Sequence, residues 1–407
     1  MLFSEIRPSV AILRTQLKGS SHPSSSGSAF VVDGRGWMIT NFHVVNSYLY
    51  DPERYDLAFE MPDGQEGTVD LIAVDVLNDL ALVAPRSPLR AGSAHPIALP
   101  TPESAPRMAR GTPLFSIGNP LDLGMTITTG SFSGMVQGSF DGQIHFSGAL
   151  NPGMSGGPAV DERGRLVGVN VAHVRDAQSV SFLVPAMHVT RLYRAARQSQ
   201  PPRLAALRGE VAQQLRARQA ELVRLAFAED WSSENLGNYR VPGFLAGYTD
   251  CGADSNASAS APPRVEFRSM NCLLKTASMP VPDESSSSLS YQHTLVRLGS
   301  PAAANSFRLA SAASNRFTGN MSAVQNTHMA RQICQSRFTQ LGPKQQSPAR
   351  ILWCAQAYRD FPDLYDFQIA VATQHDGQSL LVSRLTLSGF TWGSAHEFTE
   401  RLLGSIQ

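Results

Sequence analysis

The sequence predicts an all-β N-terminal domain of antiparallel barrel or sandwich type, a helical linker, and an α+β C-terminal domain. Three observations predict it. Short apolar segments alternate with Gly-rich turns across residues 27–185, helical spacing takes over from 186 to 228, and mixed patterning with Ser-rich loops begins near Trp231. The expected boundaries are 1–190, 191–230 and 231–407. A chain of 407 residues, 42% apolar and 16% charged, is too apolar to be disordered and too long for one core. Its 34 basic and 33 acidic residues leave a net charge of +1, which argues against a nucleic-acid or membrane-surface partner. No uncharged apolar run approaches the ~18–20 residues of a membrane span.

Each element has its own signal. Ala29–Val32 and Trp37–Thr40 are β-rich runs joined by Asp33-Gly34-Arg35-Gly36, and Leu57–Met61 and Thr68–Val74 flank Pro62-Asp63-Gly64. Strands continue at Leu80–Val83, Pro113–Ile117, Thr126–Thr129, Gln143–Phe146, Ala159–Val160, Leu166–Val171 and Val180–Val184. Before them, Gly19–Ser28 is rich in Ser and Gly and reads as a mobile loop. Residues 186–198 read as helix, and Pro201-Pro202 separates them from a second helix over 203–228. Leu204, Leu207, Val211, Leu215, Leu222 and Leu225 form a stripe interrupted by Arg218. That stripe fits a helix packed on its own chain, or a coiled coil joining copies into a homo-oligomer. The C-terminal region reads as an internal duplication, since His293–Ser311 resembles Leu385–Ser405 in a strand, Gly-Ser turn and helix pattern.

All four cysteines lie in that region: Cys251, Cys272, Cys334 and Cys354. Without a Cys-x-x-Cys pair they suggest two disulfides, with buried free thiols as the alternative. Three pairings are open, and the repeated spacings of 21 and 20 favour neighbours. Disulfides place the protein in the periplasm or outside the cell. The opening MLFSEIRPSV carries Glu5, Arg7 and Pro8 where a signal peptide needs its apolar core. The expected chain is therefore either cytoplasmic or the remainder after a leader is removed.

Three segments converge on one chemistry. TNFHVV places His43 at the end of a strand, NDLALV places Asp79 before an apolar strand, and NPGMSGGP places Ser155 in a glycine-rich loop. A serine hydroxyl needs a base, an imidazole titrates near neutrality, and a carboxylate holds the imidazole in the right tautomer. Gly153 permits the backbone shape that points its own N–H and that of Ser155 at a developing oxyanion. The order His, Asp, Ser is that of chymotrypsin rather than of subtilisin or the α/β-hydrolases. Asp75, four residues before Asp79, lacks the Leu-Ala-Leu strand that follows and is set aside. The histidines show no metal-ligand spacing and no phosphate or dinucleotide loop appears, so neither a metal nor a cofactor is expected.

Residues ~1–190 resemble the protease domain of the HtrA-type trypsin-like serine proteases, through GSAFVVDGRGWMITNFHVV, VDVLNDLALV, FSIGNPLDLGMTITTGSFSG, NPGMSGGPAVDERGRLVGVNVAHV and SVSFLVPAMHV. The resemblance implies a chymotrypsin/trypsin-like double β-barrel that cleaves protein or peptide substrates through an acyl-enzyme. It implies His43 as general base and acid, Asp79 as its orienter, Ser155 as nucleophile, and Gly153 with Ser155 as oxyanion donors. It also implies that Ala149, Leu150, Val171, Ala172 and His173 border the pocket for the residue before the cut, with Ser179 and Ser181 at its back. Ala149 stands where a carboxylate would select basic residues, so small or medium apolar residues are expected. The expected setting is protein quality control or processing in the cell envelope. The alternative is a latent or inactive protease fold acting through its C-terminal domain. Two departures from the family stand out. No Gly-Leu-Gly-Phe-like loop marks a PDZ domain in 231–407, and Met154 replaces a common Asn, with a side chain expected to matter little.

Overall fold

In a computed structural model of the chain, residues 10–85 close into one six-stranded antiparallel barrel and residues 113–185 into a second. The structure describes all residues except 1, 21, 93–94, 103–107, 137–141, 174–179, 200–202, 229, 244, 246–248, 258–262, 264, 275–288, 299–313, 315–316, 318–326, 343–346 and 377–378. The first barrel comprises β1 (Val10–Leu17), β2 (Pro23–Val31), β3 (Met38–Thr40), β4 (Tyr55–Glu60), β5 (Glu66–Asp75) and β6 (Leu80–Pro85). They close in the order β1-β2-β3-β6-β5-β4. The second comprises β7 (Pro113–Gly118), β8 (Thr126–Met135), β9 (Ile144–Phe146), β10 (Pro158–Val160), β11 (Leu166–His173) and β12 (Ser181–Pro185), ordered β10-β11-β12-β9-β8-β7. One cluster spans both barrels, with Val10, Phe30, Ile39 and Leu80 packed with Ile117, Val160, Leu166 and Val169, and a second, including Leu114, Phe146 and Leu183, fills the second barrel. Chain closure removes free sheet edges, so each barrel is a rigid frame for the loops between them.

Two expectations need correction. Six of the ten residues of the predicted loop at Gly19–Ser28 are strand, since β2 begins at Pro23: Ser25 and Ser26 of β2 pair with Thr15 and Arg14 of β1. Ser24, Ser25 and Ser26 occupy the more exposed end of β2, where pairing to β1 supplies backbone partners that composition does not advertise. His43 does not end a strand either. It lies in the first turn of a helix, α2 (Phe42–Tyr50; the short N-terminal helix Leu2–Ile6 is α1), whose Phe42, Val45 and Leu49 are buried at helical spacing.

Two helices follow, α3 (Ala186–Gln198) and α4 (Leu204–Ala228). The chain divides into a unit of Met1–Gln214 with Pro280–Pro282, and a unit of Leu215–Met279 with Asp283–Gln407, so the division falls inside α4. Gln214 accepts from Val76 N–H and donates to Val74 O, and Arg208 donates to the carbonyls of Leu49 and Tyr50. Leu207, Val211, Leu215 and Leu222 are buried within the chain, which covers the stripe a coiled coil would need. Among the described residues no helix is long and apolar enough to cross a membrane.

The second unit holds a hairpin, β13 (Ser233–Leu236) and β14 (Tyr239–Pro242), and a seven-stranded antiparallel sheet. Its strands are β15 (Thr249–Ser255), β16 (Val265–Leu274), β17 (Leu289–Leu298), β18 (Ile333–Leu341), β19 (Ser347–Ala357), β20 (Tyr365–Asp376) and β21 (Ser379–Phe390), ordered β15-β16-β17-β21-β20-β19-β18. Helix α5 (Trp392–Ser405) follows, with Phe398 and Leu402 buried. The disulfides join neighbours, Cys251–Cys272 and Cys334–Cys354, each across one outer hairpin of the sheet. The strands of the sequence repeat, β17 and β21, pair at the sheet's centre; beyond Leu298 the first copy lies outside the described residues.

Candidate active site

Asp79 is the hub on the first barrel. Its backbone sits at φ +52°, a left-handed conformation that aspartate tolerates better than most residues. From there its carbonyl accepts from Phe42 N–H and Asn41 Nδ2, and its Oδ1 accepts from His43 N–H at 2.9 Å. Its Oδ2 meets His43 Nδ1 at 2.7 Å. Asp79 thus places an anion on the first turn of α2, where unpaired N–H groups favour one, while it fixes the imidazole. Desolvation of the ring opposes protonation and is the largest influence on His43. The Asp79 charge and hydrogen bond together outweigh it, so the His43 pKa is raised. Asp75 acts elsewhere. Its carboxylate accepts from the backbone N–H and Nδ2 of Asn78, shaping the turn that presents Asp79.

The second barrel supplies the serine loop. Gly153 has φ +95°, and a Cβ there would stand 2.3 Å from Asn119 O, so only glycine fits. Every carbonyl around it is tethered. Leu121 N–H donates to Pro152 O at 2.9 Å, Ser28 Oγ–H to Gly153 O at 2.8 Å, and Asn170 Nδ2 to Met154 O at 3.1 Å. A peptide plane is rigid, so a fixed carbonyl fixes the N–H opposite. The tethers on Pro152 and Met154 therefore orient the N–H groups of Gly153 and Ser155, which have no hydrogen-bond partner among the described residues. The Ser155 hydroxyl donates to Val171 O at 2.8 Å, and no hydrogen bond to the His43 ring forms among the described residues.

Asn170 was not legible as a site residue, although an amide inside the apolar run LVGVNVAHV is itself a signal. It is fully buried, donates also to Ile117 O at 3.2 Å, and accepts from Ser116 Oγ at 2.7 Å. Met154 corrects an expectation. Its side chain is 1% exposed in the second barrel's core beside Leu150 and Leu183, so it anchors the loop by burial.

The expected pocket residues are spread over several environments. Ala149 is exposed, Val171 half-buried, and Leu150 buried in the barrel core with its N–H donating to Ser181 Oγ. Ser181 is buried on β12. Ala172 and His173 belong to β11, and Ser179 lies outside the described residues. No cluster of three or more His, Cys, Asp or Glu side chains able to hold a metal occurs among the described residues.

Residues 27–169 match the family model of the trypsin-like peptidase domain. Over 161 residues the chain is 34% identical to Protease Do-like 1, chloroplastic, of Arabidopsis thaliana, covering 37% of this chain and 34% of that protein. It is 32% identical over 164 residues to a probable periplasmic serine endoprotease, DegP-like, of Brucella suis, covering 38% and 29%. The chain therefore spans about a third of the length of these curated relatives. Among solved structures, the serine endoprotease from Yersinia pestis aligns with a TM-score of 0.40 and 23% identity, over 49% of this chain and 66% of that one.

Proposed function

We propose that this chain, whose residues 27–169 form a trypsin-like peptidase domain similar to those of HtrA and DegP proteases, is a serine endopeptidase. The observation that carries the proposal is the 2.7 Å contact between His43 Nδ1 and Asp79 Oδ2, together with a serine loop whose Gly153 and Ser155 N–H groups have no hydrogen-bond partner among the described residues. With Nδ1 held by Asp79, Nε2 is the nitrogen left to take a proton. Ser155 Oγ attacks the scissile carbonyl while His43 accepts its proton, and the N–H groups of Gly153 and Ser155 receive the oxyanion. His43 then protonates the leaving amine, and water hydrolyses the acyl-enzyme with His43 as base. Ala149 supports cleavage after small or medium apolar residues, because no carboxylate occupies that position to receive Arg or Lys. Peptide-library cleavage after basic residues would refute that specificity. The two disulfides and the periplasmic relative support a role in cell-envelope protein processing or quality control.

One observation favours a second reading, a latent site. The Ser155 hydroxyl is engaged with Val171 O, so the nucleophile must turn before His43 can deprotonate it. Treatment with a fluorophosphonate, followed by intact mass, separates the two. A single adduct on the wild type that is absent from Ser155→Ala establishes a working nucleophile. No adduct on the folded wild type establishes latency.

A further inference from the structure

The seven-stranded sheet ends in two hairpins of nearly the same construction and opposite character. Each outer strand is joined to its neighbour by a disulfide between directly paired residues, Cys251 with Cys272 and Cys334 with Cys354. The Cα separations of 4.1 and 4.0 Å mark these as non-hydrogen-bonded pairs of an antiparallel ladder. Residues of such pairs point their N–H and C=O away from the partner strand. On β18 the outward backbone groups therefore belong to Cys334, Ser336, Phe338 and Gln340, and on β15 to Thr249, Cys251, Ala253 and Ser255.

The β15 edge carries the features that discourage pairing: Asp250, Asp254 and Gly252 within seven residues. The β18 edge carries almost none. Its nine residues, ICQSRFTQL, contain no proline, glycine or acid, and its ladder with β19 runs without a bulge. Its single charge, Arg337, donates to Gln335 Oε1 on the face opposite Phe338. Phe338 is 88% exposed and Ile333 67%, and β19 is the only strand paired with β18 among the described residues.

From this asymmetry we propose that the outer edge of β18 is a docking site for an extended, unfolded polypeptide, bound by strand addition. Backbone bonding to the four outward residues requires no particular sequence, and Phe338 and Ile333 offer apolar contact on the two faces. The alternative occupant, a second copy paired through β18, is disfavoured by area. A nine-residue strand is about 30 Å long and about 10 Å wide, so the pairing buries about 600 Å² in total. A stable interface needs ~1,200 Å² or more. A small, sequence-tolerant contact suits a chain that is held briefly and released.

The test uses the full chain carrying Ser155→Ala, so that binding is read without cleavage and independently of the active-site proposal. Fluorescein-labelled, reduced and alkylated ribonuclease is titrated by anisotropy. Ser336→Pro deletes one outward N–H at a position where an edge strand accepts proline. Phe338→Glu guards the edge with a charge that faces Arg350, its direct partner on β19. Both are expected to weaken binding by about tenfold or more in a protein that stays folded, Ser336→Pro also losing the exposed hydrogen bond from Arg350 Nε. Hydrogen exchange should slow on binding at Ser336, Phe338 and Gln340, and remain unchanged at Gln335, Arg337 and Thr339. Absence of binding, or full affinity in both variants, overturns the proposal. So does a dimer in sedimentation velocity that Ser336→Pro dissolves, since a second copy would then be the occupant.

Discussion

Replacing Asn170 by alanine tests whether the oxyanion hole is oriented through its carbonyls. The change removes the donors to Met154 O and Ile117 O and the acceptor of Ser116 Oγ, all inside a fully buried site. Met154 O keeps the Gly157 N–H at 3.1 Å, whereas Ser116 Oγ and Ile117 O lose their Asn170 partner, and at ~1–3 kcal/mol per buried group left unpaired the variant should lose about 2–4 kcal/mol. That fits within the ~5–15 kcal/mol stability of a typical domain, so the protein remains folded at room temperature. The catalytic effect is separable. With only the Gly157 N–H left on Met154 O, the Met154–Ser155 peptide gains freedom to turn, and loss of that oxyanion donor costs ~10²–10³ in kcat. KM should change little, because that donor faces charge present only in the transition state. The assay is hydrolysis of a fluorogenic peptide with valine before the cut, with a thermal melt to confirm folding. Ser116→Ala is the control: it leaves both Asn170 donors in place, so it should lose about 1 kcal/mol of stability and keep kcat near wild type. A folded Asn170→Ala variant retaining more than about a tenth of kcat, or an equal kcat loss in Ser116→Ala, refutes the reasoning.

Other outcomes follow from the same geometry. Because the His43 pKa is raised and a general base must be neutral, kcat/KM should fall as pH drops through a value above 6.5; Asp79→Asn should move that limb down, measurable by the fluorophosphonate labelling rate against pH. The raised pKa also means that the His43–Asp79 pair stabilises the fold fully below pH 6.5 and less as pH rises through the folded value. Gly153→Ala should abolish labelling in a folded protein, since its Cβ collides with Asn119 O. Burial pushes His293 down to about 3, so the unfolded chain takes up a proton there that the folded chain refuses. Stability should then fall as pH drops from 6.5 towards 3, by about 2 kcal/mol at pH 5, and His293→Gln should flatten that slope in urea titrations. Reducing the two disulfides, which close spans of 21 and 20 residues, should remove about 3 kcal/mol each from the second unit in calorimetry.

The proposed chemistry is read from residue types that few other roles require together. His43, Asp79 and the Gly-x-Ser-Gly-Gly-Pro loop appear in order among short strands, and most strands were visible from their apolar runs and turn residues. The serine-rich start of β2 was not, because its backbone partners come from β1 and from no local pattern. The disulfide neighbours showed in their spacing, whereas the contrast between the two sheet edges required knowing which strands end the sheet.

What the sequence by itself determined is the alternation of strands that builds the barrels and the glycines the Ser155 loop demands; the reactive groups it offers are those of the proposed mechanism. Tertiary structure alone decided that Asp79 holds the start of α2 as well as the imidazole, that Asn170 and Leu121 tether the peptide planes of the oxyanion loop, and that Ser155 rests on Val171. The physical reason is that hydrogen bonds between residues 16 to 36 positions apart depend on how barrels close and loops meet. Periodicity and composition are local, and carry no record of those meetings.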